Sequence, residues 1–382
     1  MLSLQTLATL NKKGEDKMTS LKYIDLFAGM GGFRTALDSL DMECVLTSEI
    51  DEKPQEMYQI LHGQEEIKGD IHELDAAEVP EHDILVGGIT CQGFSYNGKR
   101  KGFDHKTGNL FFEVERLAKE KRPNFILIEN VMGLLTHKKG ETLGIMLKLL
   151  SDIGYKVDFE LLNALHFGLP QQRRRVFIVA TLLGEEEEWG ESVEATVNRA
   201  KQRALEMFPE IKTYRFNFPK GTYPHKANGL EGILDNSVDE FYEEMNEPDW
   251  FIWQEEEDKG TDYWCIKDGT KKGYTRFEAI PNHTCIDHAF NSSKTRRGRV
   301  KQGFTKTLDI PSMIAFYTED KKWRRIKPIE SFRLQGFSDE MYEKVSHFPR
   351  TQLIERPARS IPVPIVKGIG EEIQKMKDKY NQ

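Results

Sequence analysis

Cysteine is scarce: four residues in 382, Cys44, Cys91, Cys265 and Cys285. None forms a Cys-x-x-Cys pair and no Cys/His spacing matches a zinc site, so a zinc-built fold is excluded and no metal is expected. Scattered thiols in a long chain read as reduced, which points to the cytoplasm. The first residues, MLSLQTLATLNKKGEDK, are too polar for a secretory signal. No apolar run approaches the ~18–20 residues of a transmembrane helix, so no membrane partner is expected. An excess of basic charge is also missing. Lys and Arg total 54 against 62 Asp and Glu, a net charge of −8. That excludes a surface made to coat polyanions throughout, though it leaves room for a local basic cleft. What remains is an ordinary globular composition, 38% hydrophobic and 30% charged, at a length of two or three domains.

Residues 1–20 read as a loose polar leader, with Met18 as an alternative start. From 22 to about 180, short apolar runs alternate with helical patterns. Strands are predicted at YIDLFAG (23–29), CVLTSEID (44–51), ILVGG (84–88), FILIEN (125–130) and RVFIVATLL (175–183). Helical spacing occupies 33–40, 53–62 and 110–121. This alternation predicts an α/β domain with a mainly parallel sheet. At GEEEEWGE (184–191) the character changes, and to about 322 the chain is rich in aromatic and charged residues without βα alternation. The expected organisation is a leader (1–20), a sheet domain (21–183 plus 345–382) and an inserted second domain with its hinge (184–344).

Several segments carry chemistry. FAGMGG (27–32) puts glycines between a strand and a helix, where backbone approaches a ligand closely and the helix N-terminus favours anions. Glu49, at the end of the next strand, is placed to accept ribose hydroxyls, and Asp70 an adenine amino group. The same residues also fit a structural turn or a dehydrogenase. GGITCQGFS (87–95) brings Cys91 to the C-terminal edge of the sheet, as a nucleophile or as a buried structural thiol. The loop 96–109 is basic and glycine-rich, a lid with cations for phosphate or a solvated loop. Glu129, ending FILIEN, is a candidate proton donor if burial raises its pKa, or a helix cap. Arg173 and Arg175, two apart before a strand, should face one side and hold a carbonyl or phosphate, or else lie on the surface.

In order and wording these segments resemble the cytosine-5 DNA methyltransferase family over about 23–183 and 324–376. The resemblance rests on the glycine motif, the Cys-Gln loop, Glu129-Asn130-Val131, Gln171-x-Arg173-x-Arg175 and the Arg-Leu-Gln-Gly-Phe segment (333–337). It implies a Rossmann-like, doubly wound class I methyltransferase fold with an inserted target recognition domain. It also implies that the Cys91 thiolate adds to cytosine C6, that Glu129 contacts N3 and the exocyclic amine, and that Arg175, with Arg173 nearby, holds the O2 side. C5 then takes a methyl group from S-adenosylmethionine, and the base is flipped out of the duplex. The cofactor set becomes Phe27, Ala28, Gly29, Gly31, Gly32, Glu49, Ile50, Asp70, Ile71, Thr90, Leu110, Arg359 and Ile361. Gln92, Ser95, Lys99 and Arg100, with Arg297 and Arg299 of the basic stretch KTRRGRVK (294–301), become candidates for contact with double-stranded DNA. A monomer of bacterial or phage type is implied, with any cognate restriction endonuclease acting separately.

Two positions depart from the family pattern. Thr90 stands where proline normally precedes the cysteine. Arg359 stands where an asparagine lines the methionine part of the cofactor site. A cation beside a sulfonium is unfavourable unless an anion intervenes. Arg359 either points outward to a local carboxylate, or weakens cofactor binding, or pairs with a carboxylate on the cofactor itself. Carboxy-S-adenosylmethionine would supply that carboxylate and yield 5-carboxymethylcytosine. The motifs are also compatible with a tRNA cytosine-5 methyltransferase and with a DNA-binding pseudoenzyme.

Overall fold

The computed structural model describes residues 20–63, 66–89, 110–222, 229–246, 251–254, 263–267, 274–277, 284–287, 299–309 and 314–380. Its centre is a seven-stranded sheet made of β1 (Lys22–Leu26), β2 (Glu43–Ser48), β3 (Ile67–Lys68), β4 (Ile84–Gly88), β5 (Phe125–Val131), β6 (Lys156–Asn163) and β7 (Arg174–Thr181). The spatial order is β3-β2-β1-β4-β5-β7-β6. The first five strands are parallel, and β7 runs antiparallel to both β5 and β6. The fold is therefore Rossmann-like and doubly wound, as expected. The order reverses between β1 and β4, and such a reversal opens a crevice at the strands' carboxyl ends.

Alternation along each strand builds two cores. Ile24, Leu26, Leu85, Ile126 and Ile128 face α3 (Leu110–Lys121), α4 (Glu141–Asp152) and α5 (Ala195–Met207). Tyr23, Ile84, Val86, Phe125 and Leu127 face the opposite layer, with α1 (Gly32–Asp38), α2 (Glu52–His62) and α9 (Val363–Tyr380). Both faces are covered, which is why these strands read as continuous apolar runs.

The packing shifts the boundaries drawn from composition. Val197, Ala200 and Ala204 of α5 belong to the first core and Phe216 to the second. Trp189 Nε1 donates to Val157 O at 2.6 Å, and Lys201 Nζ pairs with the buried Asp158 at 2.9 Å. The chain thus stays with the sheet to about Phe218, and the acidic run at 184–191 is a loop of the first domain. At the other end, Phe332, Phe337 and Val345 sit in the second core, so α6 (Pro328–Arg333) and α7 (Asp339–Val345) also pack on the sheet domain. The basic and aromatic region between them forms small antiparallel sheets: Phe251–Gln254, Tyr263–Lys267 and Tyr274–Phe277 in one, and Thr284–Asp287, Arg299–Gln302, Ile314–Tyr317, Trp323–Arg325 and Glu244–Met245 in another.

Helix α8 (Arg350–Arg359) carries Pro357 within its last turn. Proline has no N–H for the carbonyl four residues back, and Ser331 Oγ bonds that carbonyl, Leu353 O, at 3.0 Å instead. Among the described residues no helix is long and apolar enough to cross a membrane, and no cluster of three or more His, Cys, Asp or Glu could hold a metal.

Candidate active site

β1, β2, β4 and β5 end around one cleft of about 480 Å³. After β1 the chain turns through Phe27, Gly29 and Gly31, whose φ angles are 59°, 58° and 86°. Left-handed backbone is strained at Phe27, which has a Cβ. The turn is held by Ala28 N donating to Ser48 O at 3.1 Å and Gly31 N to Ala28 O at 2.9 Å. A Cβ at Gly31 would collide with the His62 ring, and one at Gly32 with Ser360 Oγ and Ile361. Glycine therefore lets α1 start directly against the segment that follows α8.

Glu49 stands just beyond β2. Its carboxylate accepts Gly29 N at 2.8 Å and Asp51 N at 2.9 Å. The expected ribose acceptor thus lies at the glycine turn and fixes it. Beside it Ile50 is 67% exposed and lines the cleft, an apolar surface for a flat ring. Across the cleft, β4 ends in two glycines, of which Gly87 is sterically required. A Cβ at Gly87 would press within 3.3 Å of Leu26 O and the Phe27 ring, and one at Gly88 would stand 3.5 Å from Glu129 Oε2.

Glu129 is in register with Gly88, and its carbonyl accepts Ile89 N at 3.1 Å. Arg175, in register with Val131 on the antiparallel β7, donates Nε–H to Glu129 Oε1 at 2.8 Å. Burial pushes the Glu129 carboxyl above its ordinary range, against the opposing pull of Arg175 and Arg173. Because Oε1 receives the Arg175 N–H, a retained proton belongs on Oε2. Arg175 is a clamp for the acid.

Arg173 is held by backbone. Its guanidinium borders the cleft at 2% exposure, but its N–H groups donate to Ala358 O at 3.0 Å and Ser360 O at 2.5 Å. It precedes β7 and lines the same cleft as Arg175. Burial first, then repulsion from Arg175, lowers its pKa to about 9. Arg173 ties the end of α8 to the sheet. Replacing it with methionine leaves two buried carbonyls unpaired, at about 1–3 kcal/mol each. We expect urea unfolding to show a loss of about 2–4 kcal/mol; a loss below about 0.5 kcal/mol would contradict this role.

Of the expected cofactor set, Phe27, Ala28, Gly29 and Gly32 line the cleft from one side, Glu49 and Ile50 from the next strand, and Arg359 and Ile361 from the C-terminal segment. Gly31 shapes the turn from behind. Asp70 does not line the cleft. Its carboxylate accepts N–H and Nδ1 of His72 at 3.0 and 2.7 Å, bonds that hold its pKa below the ordinary value. Ile71 is 3% exposed in the core, and Leu110 packs against that same core. Thr90, Cys91, Gln92, Ser95, Lys99, Arg100 and Arg297 lie outside the described residues. Arg299 lies on a strand, with only its backbone described. Two charged lining residues are not anticipated by the sequence motifs, Asp51 and Arg356. For Arg356 a signal exists: on a helix it shares a face with Arg359, three residues on.

A glycine turn, an acid after β2 and an arginine-clamped acid near the end of β5 now stand in one cleft. The family model of C-5 cytosine-specific DNA methylases matches residues 21–375. The chain belongs to this family. A C5 methylase is an enzyme, so the chain is a DNA (cytosine-5) methyltransferase. It is 33% identical over 355 residues to the type II methyltransferase M.NlaX of Neisseria lactamica, covering 92% of this chain and 96% of that one. It is 29% identical over 433 residues to the orphan methyltransferase M.SPRI of Bacillus phage SPR, covering 93% and 98%. Among solved structures, a Dnmt2 methyltransferase of S. pombe superposes with a TM-score of 0.57 at 18% identity, covering 95% of this chain and all of that one. That likeness concerns the fold alone.

Proposed function

We propose that the C5 methylase transfers a methyl group from S-adenosylmethionine to C5 of a cytosine flipped out of double-stranded DNA. The observation that carries this is the buried Glu129–Arg175 pair facing the same cleft as the glycine turn and Glu49. The residues fit an adenosyl group: Glu49 offers carboxylate oxygens beside an exposed apolar Ile50, and the turn has no side chain at Gly29 to block approach. When bound, S-adenosylmethionine supplies an electrophilic methyl on a sulfonium.

The protein's part is to make C5 nucleophilic. Cys91 follows Ile89 by two residues, so chain length alone keeps their Cα atoms within about 7 Å, and Ile89 is bonded to Glu129. Its thiolate adds to C6 while Glu129 Oε2 delivers a proton to N3, so that negative charge does not accumulate on the ring. Arg175 keeps Oε1 occupied and the carboxyl aimed. After transfer the C5 proton leaves to a base, the Cys91–C6 bond breaks with its electron pair on sulfur, and the N3 proton returns to Glu129, restoring the aromatic ring. The region between Phe218 and Trp323 would read the DNA sequence, with Arg297 and Arg299 as contacts; Gln92, Ser95, Lys99 and Arg100 would hold phosphates around the flipped base. The protein would act as a monomer in the cytoplasm. A restriction nuclease would act separately where one exists, since relatives are named both type II and orphan methyltransferases.

A second donor suits the same chemistry. Arg359 lines the cleft and has no acid partner among the described residues. Carboxy-S-adenosylmethionine would present one, and the product would be 5-carboxymethylcytosine. Nucleoside mass spectrometry of DNA incubated with the protein and each donor tests both readings. 5-Methylcytosine or 5-carboxymethylcytosine is the expected product. Formation of neither, with modified cytosine found in tRNA instead, would overturn the DNA reading.

A further inference from the structure

Outside the seven-stranded sheet, Thr305–Lys306 pairs in parallel with Gln171–Gln172. Thr305–Lys306 follows the strand Arg299–Gln302 through a turn at Gly303, whose φ is 74°. Gln171–Gln172 leads into Arg173, which borders the cleft, and Arg175, which clamps Glu129. The region assigned to reading DNA and the arginines of the cleft are therefore joined by one short contact. Two paired residues are few for a stable ladder, and further bonds reinforce them. Thr305 N donates to Pro170 O at 2.8 Å and Thr307 Oγ1 to Gln172 O at 2.7 Å.

Gln171 holds the centre of this contact. It is fully buried, and its side-chain amide acts as an extra peptide unit. Oε1 accepts Leu308 N at 3.0 Å, and Nε2 donates to Leu334 O at 2.8 Å. Leu308 O accepts Arg173 Nη1 at 3.5 Å, so Leu308 is gripped on its N–H and on its carbonyl. Leu308 and Leu334 lie in a third core with Phe316 of the strand Ile314–Tyr317 and with Ile354 and Ala358 of α8. Within the sheet domain the backbone of 170–172 makes two bonds among the described residues. They are Gln171 N to Leu169 O at 2.7 Å and Arg173 N to Gln171 O at 2.9 Å, and each spans two residues. Such bonds bend the chain locally and do not anchor it to a neighbour. The placement of 170–172 therefore follows the placement of Leu308. Arg173 is the next residue, and its charge acts on the Glu129 carboxyl.

We propose that Gln171 is a positioning residue that couples target reading to chemistry: through it the segment 305–308 sets where Arg173 stands relative to Glu129. The inference rests on the region between Phe218 and Trp323 reading DNA and on Glu129 acting on the flipped cytosine. A stiff link lets a well-seated reading region complete the catalytic groups, so the correct sequence gains in rate as well as in affinity. With the link cut, the position of Arg173 no longer depends on how that region sits. The correct sequence then loses its advantage in rate.

Gln171→Met keeps the volume and removes both amide bonds. Plasmid DNA is incubated with excess full-length protein, parent or variant, and the donor that supports turnover. Sequencing that resolves modified cytosines then follows the rate at each site, and the parent's map ranks its preferred and next-best sites. In Gln171→Met the rate at preferred sites is expected to fall about ten- to a hundredfold and at next-best sites by less, so the ratio between them narrows about tenfold. A purely structural role would lower stability in urea and leave that ratio alone. Thr307→Val loses only the bond to Gln172 O, on the outside of the contact. It should narrow the ratio about three- to tenfold, which keeps the test decisive if Gln171→Met does not fold. A ratio within about 1.5-fold of the parent's, in folded Gln171→Met or otherwise in Thr307→Val, would overturn the coupling. A parent that modifies cytosines without site preference would instead overturn the assignment of the reading region, and one that modifies none in DNA the proposed function.

Discussion

Glutamine in place of Glu129 is expected to lower kcat by about a hundred- to ten-thousand-fold, the range that a positioned general acid contributes. Glutamine fills the same volume and can still accept the Arg175 N–H on its oxygen, so the clamp at 2.8 Å has a geometric substitute. What it lacks is a proton to give to N3. The parent's pH profile should carry the mark of that proton. Burial holds the Glu129 pKa above the ordinary carboxylate value. As the acid form is the active one, single-turnover rate should fall as pH rises through that pKa. The limb should disappear in Glu129→Gln, whose residual rate does not depend on that ionisation. Rapid-quench measurement on a cytosine-containing duplex separates this from a binding defect, because DNA affinity should change far less than the rate. A rate within about threefold of the parent would remove Glu129 from the chemistry, since that is only about 0.65 kcal/mol of barrier. Arg175→Lys should fall between the two, because an ammonium retains the charge but not the planar Nε donor that reaches Oε1.

Part of this site can be read from the chain and part cannot, for physical reasons. The glycine turn, Glu49 and Glu129 are legible because each follows a short apolar run, and parallel strands place their C-terminal ends on one edge. Gly87 and Gly88 read as a strand end, but what Gly87 spares, Leu26 O and the Phe27 ring, is a matter of contact across the sheet. Arg173 shares the cleft with Arg175, as the two-residue spacing suggests, but its bonds to Ala358 O and Ser360 O join distant parts of the chain, which spacing does not report. The acidic run at 184–191 suggests a new domain because composition reports exposure. It does not report which core the following helix joins. Arg356 and Asp51 are 305 residues apart and meet only because α8 returns to the glycine turn. Local patterning has no access to such a closure.

Serine in place of Cys91 is expected to reduce turnover by at least about ten-thousand-fold, a typical consequence of losing an activated nucleophile. The argument is chemical. A thiol with a pKa near 8.5 is partly thiolate at neutral pH, whereas a hydroxyl is almost wholly protonated. Nothing else named around this cleft is a comparable nucleophile: the acids Glu49, Asp51 and Glu129 are engaged by backbone N–H groups or arginines, and the remaining charged groups are guanidinium cations. A duplex carrying 5-fluorocytosine at the target position gives a direct readout. Addition to C6 and transfer to C5 can proceed, but fluorine cannot leave as a proton does, so the sulfur–C6 bond persists. The parent should therefore give a protein–DNA species that survives denaturing electrophoresis, and Cys91→Ser should give none. S-adenosylhomocysteine should raise the melting temperature of both proteins, because the glycine turn and Glu49 do not depend on the thiol. A stable adduct in the serine variant, or turnover above about one per cent, would place the nucleophile elsewhere, since a hydroxyl cannot support that fraction of a thiolate's rate.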